Sequence, residues 1–190
     1  MSTHPHDSEL PRFARAVIAA ALGGPEAQRP QDPSLKRTAA AFVTLRWPDG
    51  TLQGCIGTIE PRGSLLDAVT DGAKSAAFRD PRGRNFSLDE VNDLFVEVSV
   101  LSPTEPIAFT SEETARAALR PGIDGVVLRY RDRQGTFLPQ MWPRLGSPEN
   151  FLNELKRKAG FSSRFWSPEV ELRRYTVQAY TDGIEPPEED

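Results

Sequence analysis

The sequence predicts an α+β protein. Three observations carry this. "AAFVTLRW" and "TLQGCIGTI" are β-rich runs separated by Pro48-Asp49-Gly50, whose Asp-Gly pair favours the positive φ angles of a tight antiparallel hairpin. "LFVEVSVLS" at residues 94–102 alternates, with Val96, Val98 and Val100 on one face and Glu97 and Ser99 on the other. Between and around these runs lie apolar residues at helical spacing.

In chain order, Leu10, Phe13, Ala14, Val17, Ile18 and Ala21 form one helical face, and Gly23-Gly24-Pro25 ends it. "EAQRPQDPS" is a loop before the hairpin. Ser64 with Asp67 reads as a capping box for a helix carrying Leu65, Val69, Ala73 and Ala76 that ends before Asp80-Pro81, and Ser87 with Glu90 repeats the pattern for a short turn. After Pro103 and Pro106 the order recurs. A short strand is expected near Ile107–Phe109, a helix near Glu112–Leu119, and a second hairpin from "GVVLRYRD" and "GTFLP". Ser147-Pro148 caps a helix carrying Phe151, Leu152, Leu155 and Ala159 to Gly160, and "ELRRYTVQAYT" is the last strand. Residues 1–8 are expected as a flexible tail, 9–182 as a single compact domain, and the acidic, proline-rich 183–190 as a disordered tail.

Composition narrows function. The 190 residues carry a formal net charge of −4, which speaks against a general nucleic-acid binder. No apolar run reaches the roughly 18 residues that cross a bilayer, and the N-terminus lacks a signal-peptide pattern, so a cytoplasmic location without membrane association is expected. One cysteine forms no internal disulfide and no Cys-cluster metal site. The two histidines, His4 and His6, both lie in the N-terminal tail. A Cys-His or Ser-His catalytic pair and a His-based transition-metal site are therefore not expected. Neither a metal nor another cofactor is predicted.

Taken together, "AAFVTLRWPDGTLQGCIGTIEPRGSL", "SAAFRDPRG", "VEVSVLSPTEPI", "LRPGIDGVVLRY", "GTFLPQMW" and "FLNELKRKAGF" resemble the AMMECR-one family, whose bacterial and archaeal members are called AmmeMemoRadiSam system protein A. The resemblance covers residues from about Phe13 to Tyr180. It implies two β-and-α halves sharing one barrel-like sheet flanked by helices, and association with Memo-like and radical-SAM proteins. It implies no particular reaction. This chain departs from the usual motif at Gln53, where an arginine is typical, and at Gly83, where an aromatic usually follows "DPR".

The glycine-cysteine motif of that family yields the candidate site. Period two places Gln53, Cys55 and Gly57 on one side of the strand, opposite Leu52, Gly54 and Ile56. Cys55 is either a small buried side chain, with Gly54 and Gly57 admitting another backbone, or a nucleophile. The second role needs a cation or a helix N-terminus to stabilise a thiolate. Glu97 and Ser99 either share the thiol's face or are solvated. A Glu97 carboxylate beside the thiol opposes the thiolate, and Arg46, Arg79 or Arg82 are the groups able to reverse that. "AAFRDPRGR" offers Arg79, Asp80, Arg82 and Arg84 either as a carboxylate- or phosphate-reading fork for a small anionic ligand or an acidic partner, or as a capped turn with solvated arginines. Lys156, Arg157 and Lys158 suit a helix C-terminus and argue only weakly for nucleic acid. Met141, Trp142 and Trp166 read as plugs at the core edge. Two function classes follow: an auxiliary binding component, or a thiol-dependent enzyme using Cys55. Nucleic-acid binding is a weaker third.

Overall fold

A computed structural model describes residues 8–182. The expected tails, His4 and His6 included, lie outside the described residues except for Ser8, which opens a short 3-10 turn. The described chain divides into two compact units, one reaching Leu101 and resuming at Gln178, the other running Ser102–Val177. No described helix is long and apolar enough to cross a membrane.

In the first unit, α1 (Leu10–Ala21) buries Leu10, Phe13, Ala14, Val17 and Ile18, whereas Ala21 is exposed. Gly23, at φ +90°, turns the chain out of it. Strands β1 (Ala41–Arg46) and β2 (Leu52–Gly57) form the expected hairpin; Asp49 accepts from Thr51 N at 2.9 Å and Gly50 has φ +83°. Helix α2 (Leu65–Phe78) starts at the Ser64–Asp67 capping box. The Ser87–Glu90 box likewise starts a 3-10 turn, Leu88–Asp93. Strand β3 (Phe95–Leu101) pairs with β1, so hairpin and strand share one sheet. Val43, Leu45, Val96 and Val98 pack with α1 and α2 in a common core.

The second unit holds β4 (Glu105–Pro106), α3 (Glu112–Ala118), β5 (Gly125–Tyr130), β6 (Arg133–Phe137), the short α4 (Trp142–Leu145), α5 (Pro148–Lys158) and β7 (Glu171–Tyr175). Its core joins Val126 and Leu128 to Phe151, Leu152 and Leu155 of α5. Trp142 is buried and stacks on Phe151 at 3.9 Å, and Trp166 packs on Phe109 at 5.5 Å, so both plug the core as expected. The expected strand at Ile107–Phe109 is only the pair Glu105–Pro106, an edge position that tolerates a residue lacking an N–H.

The α+β class holds, with two β-and-α halves, but the halves do not share one barrel-like sheet. The strands form two four-stranded sheets, β2-β1-β3-β8 and β4-β7-β5-β6, with no closed barrel among the described residues. The reason lies at Thr176. Its N–H donates to Ser102 Oγ at 3.0 Å and its carbonyl accepts from Ser102 N at 2.9 Å. That residue therefore leaves the ladder and splits the expected last strand into β7 and β8 (Val177–Thr181), which pair in different sheets. Just beyond β8, Asp182 is paired with Arg15 of α1, whose guanidinium also donates to the Val91 and Leu94 carbonyls.

Tyr175 gives the second unit a titratable core residue. A Cβ at Gly125 would sit 2.3 Å from its ring, so glycine there makes room for the phenol. The hydroxyl meets Thr136 Oγ1 at 2.9 Å and donates to the Phe137 carbonyl at 3.1 Å. Burial pushes the phenol up to about 12, partly offset by the Thr136 hydrogen bond. Because the folded value lies above the unfolded one, this contribution is complete below about pH 10 and is lost as pH rises toward 12. Urea unfolding of wild type and Tyr175→Phe should show the wild type more stable by about 1 kcal/mol at pH 8, with the difference shrinking above pH 10; a constant difference contradicts the assignment.

Candidate functional site

The site is built by a close approach of two backbones. A Cβ on Gly54 would lie 2.1 Å from the Ala76 carbonyl oxygen, so the last turn of α2 rests directly on β2. A Cβ on Gly57 would meet Ala41 O at 2.2 Å and Phe42 Cα at 2.6 Å. Neither glycine has a positive φ. Both are required for proximity, as one of the two sequence readings has it.

Helix α2 then ends at Phe78, Arg79 is its exposed C-cap, and the chain turns through Asp80-Pro81. That turn brings Asp80 to the cysteine. Its Oδ2 accepts from Cys55 N at 3.0 Å, and Arg82 adds three donors: backbone N at 3.1 Å, Nε at 2.9 Å and Nη2 at 2.6 Å. The Arg82 guanidinium, helped by the two backbone amides, holds the Asp80 carboxyl far below the usual carboxylate range against the cost of burial. Arg82 is raised in return by Asp80, and more weakly by the nearby Cys55.

Cys55 is half-buried, and its Sγ accepts from Thr44 Oγ1 at 3.3 Å across the hairpin. Thr44 pairs with Cys55 on one side and Glu97 on the other, so Glu97 lies on the thiol's face one strand beyond Thr44. Ser99 donates to Glu97 Oε1 at 3.0 Å and is buried. The polar face of β3 is therefore not a plain solvated face: Ser99 is buried and Glu97, like Thr44 and Cys55, is half-buried.

Gln53 departs from the expected geometry. The pairing steps from Leu45–Gly54 to Arg46–Leu52, leaving Gln53 as the extra residue of a β-bulge. Its side chain is buried, away from the thiol's strip. Oε1 accepts from Trp47 Nε1 at 3.0 Å and Arg84 N at 3.2 Å, while Nε2 donates to Ala77 O at 3.0 Å and Arg84 O at 2.8 Å. All four hydrogen-bonding positions of the amide are filled. A Cβ on Gly83 would lie 2.3 Å from Gln53 O. The two departures from the usual motif thus touch each other.

Of the candidate residues, the structure joins Gly54, Cys55, Asp80 and Arg82 in one contact network, sets Gly57 against Ala41 and Phe42 of β1, and places Glu97 on the thiol's strip. Gln53 clamps the opposite side, and Arg79 stays exposed. The sequence pattern alone gives no sign of Thr44 or Trp47, whereas Arg84 belongs to the arginine segment it singles out. Thr44 becomes visible only when the hairpin register is counted through the bulge. Arg84 lies 3.9 Å over the Trp47 ring and pairs with Glu90. Lys156 is not the exposed cation that the helix end suggested. It is fully buried, with Nζ on Glu112 at 2.8 Å. Among the described residues no group of three or more His, Cys, Asp or Glu is placed to hold a metal ion.

A residue that separates two touching backbones is more damaging to replace than the thiol between them. Gly54→Ala should lose about 2–3 kcal/mol through overpacking, and Cys55→Ser about 1 kcal/mol, since a hydroxyl still accepts from Thr44. Chemical unfolding of both variants checks the order, and an equal or reversed order contradicts the close approach.

The AMMECR1 family profile matches residues 11–180. Protein MJ0810 of Methanocaldococcus jannaschii is 35% identical over 179 residues, covering 92% of this chain and 89% of its own. A Thermotoga maritima protein is 40% identical over 146 residues, 76% of this chain and 79% of its own. The crystal structure of the uncharacterized protein PH0010 from Pyrococcus horikoshii superposes with a TM-score of 0.80 at 33% identity, covering 90% of this chain and 89% of that one. On profile, relatives and fold alike, the chain belongs to the AMMECR1 family.

Proposed function

We propose that the protein is a binding component rather than a self-sufficient catalyst, and that it acts with Memo-like and radical-SAM proteins. The observation that carries this reading is the saturation of the motif. Asp80 is filled by Cys55 N and Arg82, the Gln53 amide is filled on all four positions, and Arg82 is committed to a carboxylate. No histidine lies among the described residues. A nucleophilic cysteine needs a cation or a helix N-terminus for its thiolate, and Arg82, close enough to feel this thiol, is already paired with Asp80.

A surface lies at the end of α2. Phe78 is 46% exposed and stacks on Phe86 at 5.8 Å, with the exposed Arg79 next to it in the chain. An aromatic anchor beside an arginine suits an acidic patch on a partner protein or a small anionic ligand carried by it. Calorimetric titration of the intact chain with the Memo-like and radical-SAM proteins of the same genome should give a micromolar complex with one of them. Phe78→Ser with Arg79→Glu should weaken that complex at least tenfold without lowering Tm. Absence of binding to both, or indifference to the variant, overturns the reading. Cellular loss of function in a well-folded Cys55→Ser protein moves it to the thiol-dependent enzyme.

A further inference from the structure

A second surface, on residues separate from that motif, lies at one end of the second unit. Charge is divided unevenly along the chain: Ser102–Val177 holds twelve Lys and Arg against nine Asp and Glu, and the remainder eleven against eighteen. The net −4 therefore hides a cationic unit. Of its twelve cations, Arg116, Arg120, Lys156, Arg157 and Arg174 are among those with carboxylate partners within the unit. Others gather where the β5–β6 hairpin tip meets the end of α5.

There Tyr130, Phe161 and Phe165 form a half-buried aromatic cluster, with ring centroids at 5.8 Å, 5.0 Å and 4.5 Å. Arg131 lies over Tyr130 at 5.0 Å, and Arg133 lies over Phe161 at 5.4 Å while donating to the Gly160 carbonyl at 2.8 Å. Arg164 is exposed beside Phe165. None of these three arginines forms a carboxylate pair among the described residues. Interleaved rings and arginines form the arrangement that takes stacked bases together with the phosphates between them.

Arg131 adds an independent observation. At φ +55° it is the one non-glycine residue with a positive φ among the described residues, in the first position of a two-residue hairpin loop. Glycine or asparagine would hold that conformation with less strain. Strain retained at an exposed cation points to a role for the guanidinium itself.

We propose that this end of the unit binds single-stranded nucleic acid, RNA or DNA. The bases stack on the ring and guanidinium planes, and the backbone phosphates lie against Arg131, Arg133 and Arg164. An acidic protein segment would engage the arginines but leave the three rings unused. Lys156 and Arg157, on the helix beside the patch, take no part because each is ion-paired within the unit.

The test is fluorescence anisotropy of the intact protein with 12-mers of uridine RNA, thymidine DNA and abasic DNA. One of the first two should bind with a Kd on the order of 10 μM at low salt, and the tighter of them identifies the source. The slope of log K against log salt should be about −2 for three phosphate contacts. Abasic DNA should bind at least tenfold more weakly. Arg131→Gly should reduce the slope by about 0.7 while leaving Tm unchanged or raising it by about 2–4 °C. Because that variant relieves strain, loss of binding is not confused with loss of fold. Equal binding of abasic DNA, stronger competition by polyglutamate than by oligonucleotide, or no binding to any 12-mer overturns the proposal.

Discussion

A helix backbone laid directly on a strand backbone at Gly54 governs everything around Cys55. Because α2 touches β2 there, the chain leaving the helix has only a short path, and Asp80 arrives at the Cys55 amide. A carboxylate so buried is tolerated only when fully hydrogen-bonded, and Arg82 completes the set from two residues away. The bulge at Gln53 is the other half of the arrangement. It turns a polar side chain out of the thiol's strip to hold Trp47, the end of α2 and Arg84 together. Polar residues that look like reactive equipment in a linear motif are, in three dimensions, the fastening between a sheet and its helix.

The second unit uses the same device. Asp124 is fully buried beneath β5 and is gripped by Arg120 through N at 3.0 Å, Nε at 2.8 Å and Nη2 at 2.6 Å, with Arg174 at 3.5 Å. Trp142 Nε1 donates to its carbonyl at 2.7 Å. In each unit one buried aspartate is held by a neighbouring arginine: Asp80 reaches the Cys55 amide within β2, and Asp124 directly precedes β5. Such pairs contribute geometric definition; breaking one partner leaves an uncompensated buried charge.

What the sequence revealed was local. The Asp49-Gly50 turn, the boxes at Ser64 and Ser87, and Ser147-Pro148 at the start of α5 are set by residues a few positions apart, and each appears where expected. What it concealed was set by distant partners. Thr176 breaks a continuous strand pattern because Ser102 takes its backbone hydrogen bonds. Lys156 is buried because Glu112, 44 residues away, meets it. Gln53 leaves its face because of a bulge, which shifts the period by one and which no alternation of residue types announces. The close approach at Gly54 and Gly57 was legible as a possibility, while the choice between proximity and reactivity for Cys55 needed the partners of Asp80 and Arg82.

That choice reduces to the behaviour of one thiol. The second-order rate of Cys55 with iodoacetamide at pH 7, measured against N-acetylcysteine under the same conditions, tests it most directly. A half-buried thiol beside an arginine already committed to Asp80 should react at least tenfold more slowly than the free thiol in the folded protein and match it only in denaturant. A folded-state rate tenfold above the free thiol would contradict the account and make Cys55 an activated nucleophile.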